Sequence, residues 1–268
     1  MPPSVVHLNG HPTTTPALSP LAFAGHAHFT AMQVRDGGVR GLDLHLERLR
    51  AASVVLFGRA LPEERVRSRL RAAVAAAGPG DLSLTATVFS PAGEFTVAGP
   101  EVEPGVLVRT APPSSGPAGP LTLTTVEHER FLPAVKHVGE VAKTHLLRQA
   151  AAEGFDDAAF VDRRGRLSEA TIWNLAFWDG TAVVWPRAAI LTGTTMGILR
   201  RQLAHLGVPQ QVRDVTPADL PGLSGAVVMN SWTPGVAVRR IGSAALPAAP
   251  DFLEVLHRAH GAEPLTAL

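Results

Sequence analysis

The pattern of apolar and polar positions in the first half of the chain predicts short strands and two amphipathic helices. Apolar residues recur with helical spacing after Asp43, which is predicted to cap a helix that ends at Gly58. A second helix is predicted over about 62–77, where a Gly-Pro-Gly sequence follows it. Alternation with a period of two predicts strands over 5–8, 28–34, 83–89, 95–98 and 106–110.

The second half of the chain combines two predicted hairpins with helices. The hairpins turn around 162–165 and around Asp179-Gly180, because such sequences favour tight turns between antiparallel strands. A helix over about 139–153 is predicted to bury one stripe, formed by Val138, Val141, Leu146 and Ala150. Further predicted elements are strands over 121–126 and 226–229, a polar loop over 230–235, and helices over about 196–206 and 251–259.

A stretch rich in proline, glycine and serine, residues 111–120, lies between these two halves and has the composition of an exposed linker. The chain of 268 residues is long enough for two domains of ordinary size. We therefore predict an α+β protein with an N-terminal domain over 1–112, a linker over 113–119 and a C-terminal domain over 120–268.

Composition narrows the functional class. The net charge of +1, with arginines scattered along the chain, gives no indication of nucleic-acid or membrane binding. The absence of cysteine excludes disulfides and thiolate metal sites. The first residues lack the charged and apolar regions of a signal peptide, so we expect a cytoplasmic protein.

Lysine is rare in this sequence and marks a candidate for chemistry. Among 24 lysines and arginines only Lys136 and Lys143 are lysines, and only an amine can lose its proton and attack a carbonyl. Lys143 lies off the apolar stripe of its helix, close to Glu140, and is interpreted as a solvated residue. Lys136 precedes that helix in an apolar frame, where partial desolvation would free its amine.

Several polar residues at the ends of predicted elements are further candidates, each with a structural alternative. Thr194 and Thr195 begin a helix and could bind phosphate or merely cap the helix. Ser231 follows a strand, where hydroxyl groups often bind ligands, although a structural role is equally compatible with this place. Glu169, in a hairpin strand before Asn174, is predicted to be buried and to need a partner, either a protonated pyridine nitrogen or an arginine.

A metal site has weak support in the sequence. His26 and His28 alternate along one strand, but no third ligand accompanies them. We therefore predict no bound metal.

The order of these residues along the chain resembles the fold-type IV pyridoxal-phosphate enzymes, which comprise the class IV aminotransferases and aminodeoxychorismate lyase. The resemblance covers nearly the whole chain. Its motifs are Leu8-Asn9-Gly10, His28-Phe29-Thr30, His45-Leu46-Glu47-Arg48-Leu49, Val135-Lys136-His137, Gly154-Phe155-Asp156-Asp157-Ala158, Ser168-Glu169, Asn174-Leu175, Leu191-Thr192-Gly193-Thr194-Thr195 and Ser231.

This resemblance implies a fold, a cofactor and residue roles. The fold would be that of D-amino acid aminotransferase, with a small N-terminal α/β sandwich and a larger, barrel-like C-terminal domain, in a homodimer. Pyridoxal 5'-phosphate would be held by Lys136 as a Schiff base. The other cofactor-binding residues would be Arg48, Glu169, Asn174, Thr194, Thr195 and Ser231, and the substrate wall would include Thr30, Trp173 and Trp232.

Three functions remain open from the sequence. The first is transfer of an amino group between a primary amine or amino acid and a 2-oxo acid. The second is elimination of pyruvate, as catalysed by aminodeoxychorismate lyase. The pair Lys136-His137 resembles the Lys-His pair of that enzyme. The third is a non-catalytic relic that binds a small ligand, favoured slightly by the absence of tyrosine and by Met196, where the family commonly has arginine.

Overall fold

The computed structural model describes residues 4–22, 24–96 and 101–268, and the chain divides into two compact units. The first unit consists of Met1–Ser114, Val135–Glu140 and Pro264–Leu268, and the second consists of Ser115–Ala134 and Val141–Glu263. Residues 135–140 and 264–268, assigned to the C-terminal domain by the sequence analysis, thus cluster with the first unit. Backbone pairing explains why both segments cluster with the first unit. Residues 265–267 pair with residues 38–40, and His137 forms a β-bridge with His28.

Secondary structure follows the sequence pattern in most places. The helices are α1 (Leu42–Phe57), α2 (Glu63–Ala77), α3 (Val141–Ala152), α4 (Thr194–His205) and α5 (Pro250–Ala262), with 3-10 helices at Pro16–Leu21 and Pro217–Gly222. The strands are β1 (Val6–Leu8), β2 (His11–Pro12), β3 (Ala27–Arg35), β4 (Gly38–Arg40), β5 (Leu82–Phe89), β6 (Gly105–Ala111), β7 (Leu121–Glu127), β8 (Asp157–Val161), β9 (Leu167–Ala170), β10 (Asn174–Trp178), β11 (Val183–Pro186), β12 (Gln210–Arg213), β13 (Gly225–Asn230), β14 (Thr233–Ile241), β15 (Ala244–Ala245) and β16 (Leu265–Ala267).

The first unit is a seven-stranded sheet in the order β16-β4-β3-β5-β6-β1-β2. Strand β3 alternates between a buried face, which carries Thr30, Met32 and Val34, and a partly exposed face. The apolar stripes of α1 and α2 contribute Leu42, Leu46 and other residues to the same core as Met32 and Val34. The position of a β3 side chain in the alternation therefore decides whether it joins this core.

The second unit contains a nine-stranded sheet that closes on itself. Strand β10 pairs with both β9 and β13, and the pairings continue through β14, β7 and β8 back to β9. Six strands therefore form a ring, which confirms the barrel-like C-terminal fold expected from the resemblance. Both predicted hairpins, β8–β9 and β10–β11, are antiparallel pairs.

The start of α1 differs from the sequence prediction. Gly41, not Asp43, is the N-cap, and it adopts a left-handed conformation with φ 61°. Asp43 lies in the first helical turn, where its negative charge still favours the positive end of the helix dipole. The predicted end of the helix is confirmed, because Gly58 is the C-cap with φ 70° and donates its N–H to the Val54 carbonyl.

Two predicted segments have other structures. Residues 95 and 96, the first half of the strand predicted over 95–98, lie outside any strand, and 97 and 98 are outside the described residues. The predicted loop over 230–235 is only a two-residue turn, Ser231-Trp232, between β13 and β14. Pro234 and Gly235 suggested a loop, but alternating burial over the following valines places them in a strand instead.

The predicted apolar stripe of α3 is confirmed for Leu146 and Ala150, which pack in one cluster, and is wrong for Val138 and Val141. Val141 is 82% exposed and Val138 is 38% exposed, whereas Ala150 is the one buried residue of the helix. Lys143 is partly exposed. The apolar residues have helical spacing, but the strands that pack against α3 do not cover the face that carries Val138 and Val141. Among the described residues, every helix is too short or too polar to cross a lipid bilayer.

Two histidines are buried in the core of the first unit. Nε2 of His28 lies 2.9 Å from Oγ of Ser53, and Nδ1 of His45 lies 2.6 Å from Oγ1 of Thr30. The pKa of each histidine is lowered from 6.5 to about 3, chiefly by burial, with a smaller contribution from His26 at His28 and from the charge of Arg48 at His45. Both side chains are therefore neutral in the folded protein at neutral pH.

These histidines predict acid sensitivity of the fold. Below pH 6.5 these histidines bind protons in the unfolded chain but stay neutral in the folded protein. The free energy of unfolding therefore falls as the pH drops toward 3. At pH 5 each histidine is expected to cost about 2 kcal/mol of unfolding free energy. Urea unfolding at pH 7 and pH 5 measures the loss, and His45→Asn should reduce it by about half. An equal loss in this variant and the wild type would contradict the assignment of the effect to His45.

Candidate active site

The hairpin strands β9 and β10 place two predicted cofactor residues side by side. Glu169 and Asn174 are direct partners in the antiparallel register, so their side chains project from the same face. Both are buried, with 5% and 6% of their surfaces exposed, which confirms the predicted burial of Glu169. A tight turn joins the strands, in which the Ala170 N–H donates to the Trp173 carbonyl at 2.8 Å.

A buried carboxylate fixes this turn from beneath. Asp157 accepts hydrogen bonds from Oγ1 of Thr171 at 2.7 Å and from Nε1 of Trp173 at 3.0 Å, and also from the backbone of Ala158 and Thr171. Burial raises the pKa of Asp157, while these donors oppose the shift. Trp173, predicted for the substrate wall, therefore has its polar atom engaged within the unit and only 5% of its surface exposed. The sequence analysis gave Asp157 no role, although it lies within a motif of the resemblance.

Asn174 holds the loop before α4. Its Nδ2 donates to the Leu191 carbonyl at 2.8 Å. A Cβ atom on Gly193 would lie only 2.0 Å from Asn174 Oδ1, so the loop passes too close to this amide for any larger residue. Asn174, predicted to bind the cofactor, is thus seen to position the backbone that begins α4.

The start of α4 has the geometry of an anion-binding site. Gly193 is the N-cap in an extended conformation, so α4 begins at Thr194 rather than at the predicted residue 196. Thr194 and Thr195 are buried in the first turn, whose N–H groups have no acceptors within the helix. Because Gly193 is the N-cap, the alternative that either threonine is a side-chain cap is excluded.

The turn after β13 lies beside the same helix start. Oγ1 of Thr195 donates to the Asn230 carbonyl at 2.8 Å, and Asn230 directly precedes Ser231. Trp232 forms an edge contact with Trp173, with 6.1 Å between the ring centres. The second unit therefore brings together Glu169, Asn174, Thr194, Thr195 and Ser231 with their two neighbouring tryptophans.

Glu169 has an arginine partner that the sequence analysis did not name. Nη1 of Arg130 lies 3.5 Å from Oε1 of Glu169, and the two side chains are only 2% and 6% exposed. The sequence analysis had left open a pyridine nitrogen or an arginine as the partner of this glutamate. The structure supplies the arginine.

Lys136 belongs to the first unit and is fixed by strand pairing. Its carbonyl accepts the N–H of Phe29 at 2.9 Å, and the Val138 N–H donates to Ala27 at 2.9 Å, so this segment runs along β3. Val135 is buried, with 3% exposure. The Lys136 amine lies 4.9 Å from the centre of the Phe29 ring, which confirms an apolar neighbour for this lysine.

Thr30 and Arg48 also lie in the first unit, on different surfaces of it. Thr30 is fully buried on the core face of β3, where its hydroxyl contacts His45. This contact corrects the expectation that Thr30 faces a substrate, since the residue beside Lys136 is Phe29 on the opposite face of the strand. Arg48 is partly exposed on α1, one turn after His45.

Metal binding has no structural support. Among the residues that the structure describes, no three or more His, Cys, Asp or Glu side chains are grouped to hold an ion. His28 instead contacts Ser53, and His26 precedes the strand. Met196, at the position where the family commonly has arginine, is buried in an apolar cluster with Leu199.

Solved structures with the same fold include three aminotransferases. A branched-chain aminotransferase from Thermoproteus uzoniensis with norvaline is 18% identical, with a TM-score of 0.85 over 98% of this chain and 99% of that chain. The branched-chain enzyme from Escherichia coli is 15% identical, with a TM-score of 0.83 over 96% and 93%. A hypothetical aminotransferase from Mycobacterium tuberculosis in a PLP-bound form is 22% identical, with a TM-score of 0.77 over 97% and 98%.

The comparison with curated proteins finds no match, whereas the sequence does match the model of a protein family. The model described as amino-transferase class IV matches residues 27–241, which include Lys136, Glu169, Thr194 and Ser231. This match and the shared fold confirm the resemblance seen in the sequence, and the chain belongs to the class IV aminotransferases, a family of pyridoxal-phosphate enzymes of fold type IV.

Proposed function

We propose that the protein transfers amino groups between a primary amine or amino acid and a 2-oxo acid, with pyridoxal 5'-phosphate bound to Lys136. The observation that carries this proposal is the donor set of the second unit, together with a lysine fixed by backbone pairing. The bound cofactor would supply an electron sink for the substrate α-carbon. Family membership supports the reaction class.

The residues present match the chemistry of this cofactor. A phosphate needs N–H and hydroxyl donors, which the first turn of α4 and Ser231 would supply, with Arg48 adding a positive charge. A pyridine nitrogen that carries a proton needs an acceptor, and Glu169 is a buried carboxylate. An aldehyde needs an amine, for which Lys136 is the candidate.

Lys136 would have two tasks in the reaction. Its amine would bind the cofactor covalently between turnovers, and after the substrate amine displaces it, the free amine would move a proton to and from the substrate α-carbon. The Phe29 ring, whose centre lies 4.9 Å from the amine, gives Lys136 an aromatic neighbour within the first unit. The hydrogen bonds to β3 would keep the amine in place during both tasks.

The substrate wall needs one change from the sequence prediction. Thr30 has its hydroxyl engaged by His45, so we propose that Phe29 takes the place beside Lys136 that Thr30 was expected to fill. Trp232 is 42% exposed and keeps its predicted role, while Trp173 would support it through the edge contact of the two rings. The homodimer and the cytoplasmic location stay predictions.

Amino transfer and pyruvate elimination can be separated by one set of assays. With pyridoxal phosphate bound, amino acids should convert the cofactor to its aminated form, and a 2-oxo acid should restore it, because transamination has two half-reactions. The measurements are the cofactor absorption and the amino acid formed. Pyruvate release from aminodeoxychorismate without any acceptor would instead favour the lyase, whose Lys-His pair this sequence resembles. Absence of any cofactor absorption band in the wild type would overturn both enzyme functions.

A further inference from the structure

We propose that Arg130 is a positioning residue of the cofactor site, which holds Glu169 as an oriented carboxylate for the ring nitrogen of pyridoxal phosphate. The proposal rests on the proposed function above. It assigns a role to a residue outside the motifs of the resemblance, and its physical basis is the buried ion pair of the second unit.

Arg130 is held in place by a second contact. Its Nη1 donates to the Pro133 carbonyl at 2.8 Å and lies 3.5 Å from Oε1 of Glu169. The guanidinium is 2% exposed, so solvent does not screen it from the carboxylate. The same nitrogen thus contacts the backbone and the carboxylate, so the hydrogen bond to Pro133 keeps the positive charge beside Glu169.

Burial makes the charge of Glu169 depend on this partner. An isolated carboxylate in so enclosed a place would take up a proton rather than stay ionised, because burial disfavours the charged form. The permanent charge of arginine reverses that preference. An ionised Glu169 can accept a hydrogen bond from a protonated ring nitrogen, whereas a protonated Glu169 has lost most of this capacity.

The backbone around Glu169 completes the arrangement. Pairing with Asn174 fixes the strand, and Asn174 in turn holds the loop that leads into α4. The carboxylate and the helix start are thereby tied to one pair of strands, and Arg130 places a positive charge beside the Glu169 side chain. A purely structural ion pair would stabilise the fold without affecting the cofactor, and this difference is measurable.

The test compares Arg130→Met and Arg130→Lys with a matched control, Arg163→Gln. Arg163 is 78% exposed and pairs with Glu129 at 2.7 Å, so its replacement removes an ion pair of the same unit at the surface. Each protein is titrated with pyridoxal phosphate, and the absorption of the bound cofactor is followed as a function of pH. Urea unfolding without cofactor measures the stability of each variant separately.

Arg130→Met should raise the dissociation constant of pyridoxal phosphate by about tenfold or more. The pH midpoint of the cofactor absorption should rise by about one unit, because a ring that has lost its proton no longer opposes protonation of the Lys136 nitrogen. Arg130→Lys should recover much of both effects, and Arg163→Gln should show neither. If Arg130→Met does not fold, the double variant Arg130→Met/Glu169→Gln, which removes both buried charges, is compared with Glu169→Gln alone, and the two should have the same midpoint because Arg130 acts through Glu169.

The outcomes separate this proposal from the one it rests on. A wild-type absorption band with an unchanged pH midpoint in Arg130→Met, or different midpoints in the double variant and Glu169→Gln, would overturn the role of Arg130 and leave the proposed function intact. Loss of stability alone, with wild-type cofactor affinity, would likewise reduce the pair to a structural contact. No band in the wild type would overturn both proposals.

Discussion

Replacement of Lys136 by alanine is expected to abolish the absorption band of lysine-bound pyridoxal phosphate and to reduce amino transfer by about 10⁴-fold or more. The physical reason is that one amine serves both for covalent attachment and for proton transfer, and alanine supplies neither. The backbone contacts of residue 136 with β3 use main-chain atoms, so the fold of this segment should survive the substitution. Absorption spectra and steady-state rates measure the two effects independently.

Lys143→Ala is the matched control, because these are the two lysines of the chain. Lys143 lies in α3 and is partly exposed, and alanine at this position is a good helix former. Its variant should keep the band and the activity. A band that persists in Lys136→Ala and disappears in Lys143→Ala would show that the wrong lysine has been assigned.

Gly193→Ala is expected to destabilise the second unit and to weaken the cofactor site at the same time. The new Cβ would lie 2.0 Å from Oδ1 of Asn174, so the amide must move and give up its hydrogen bond to Leu191. A buried clash of this kind, with one lost hydrogen bond, should cost about 2–4 kcal/mol of unfolding free energy. Because the start of α4 moves with the loop, the affinity for pyridoxal phosphate should also fall, by about tenfold.

Gly222→Ala provides the comparison, since a Cβ at that position meets no atom within 4 Å. Urea unfolding of the two variants measures the stability difference, and titration with pyridoxal phosphate measures the affinity. Equal stabilities for both variants would mean that the loop before α4 relaxes freely, and would contradict the positioning role of Asn174.

Several parts of the site could be found in the sequence because their signals are local. The hairpins β8–β9 and β10–β11, which carry Glu169 and lead on from Asn174, follow from turn sequences between alternating strands, whereas the pairing of Glu169 with Asn174 links the two hairpins and was not predicted. Glycine before Thr194 and Thr195 indicates a helix start, although the cap proved to be Gly193 itself. The rarity of lysine is enough to single out Lys136 and Lys143 as candidates.

Other parts of the site depend on contacts between distant segments. The sequence of β3 does not show which of its faces α1 covers, because both Thr30 and Phe29 are compatible with the covered face and with the open face. The arginine partner of Glu169 could be identified only from the location of Arg130, which is 39 positions away in the sequence. The apolar residues of α3 indicated a buried stripe, yet Val141 is largely exposed.

The sequence by itself therefore determined the helices and most of the strands, the two-part α+β organisation, the family and the choice of a candidate lysine. Hydrophobic periodicity and turn-forming residues act over a few neighbouring positions, so both can be recognised in the sequence. The order of several motifs along the chain indicates a family even where each motif alone is weak. The tertiary structure alone decided that Arg130 faces Glu169, that Thr30 faces His45 and that Gly193 leaves room for Asn174. These are pairwise contacts between segments, and burial and close approach exist only once the chain has folded.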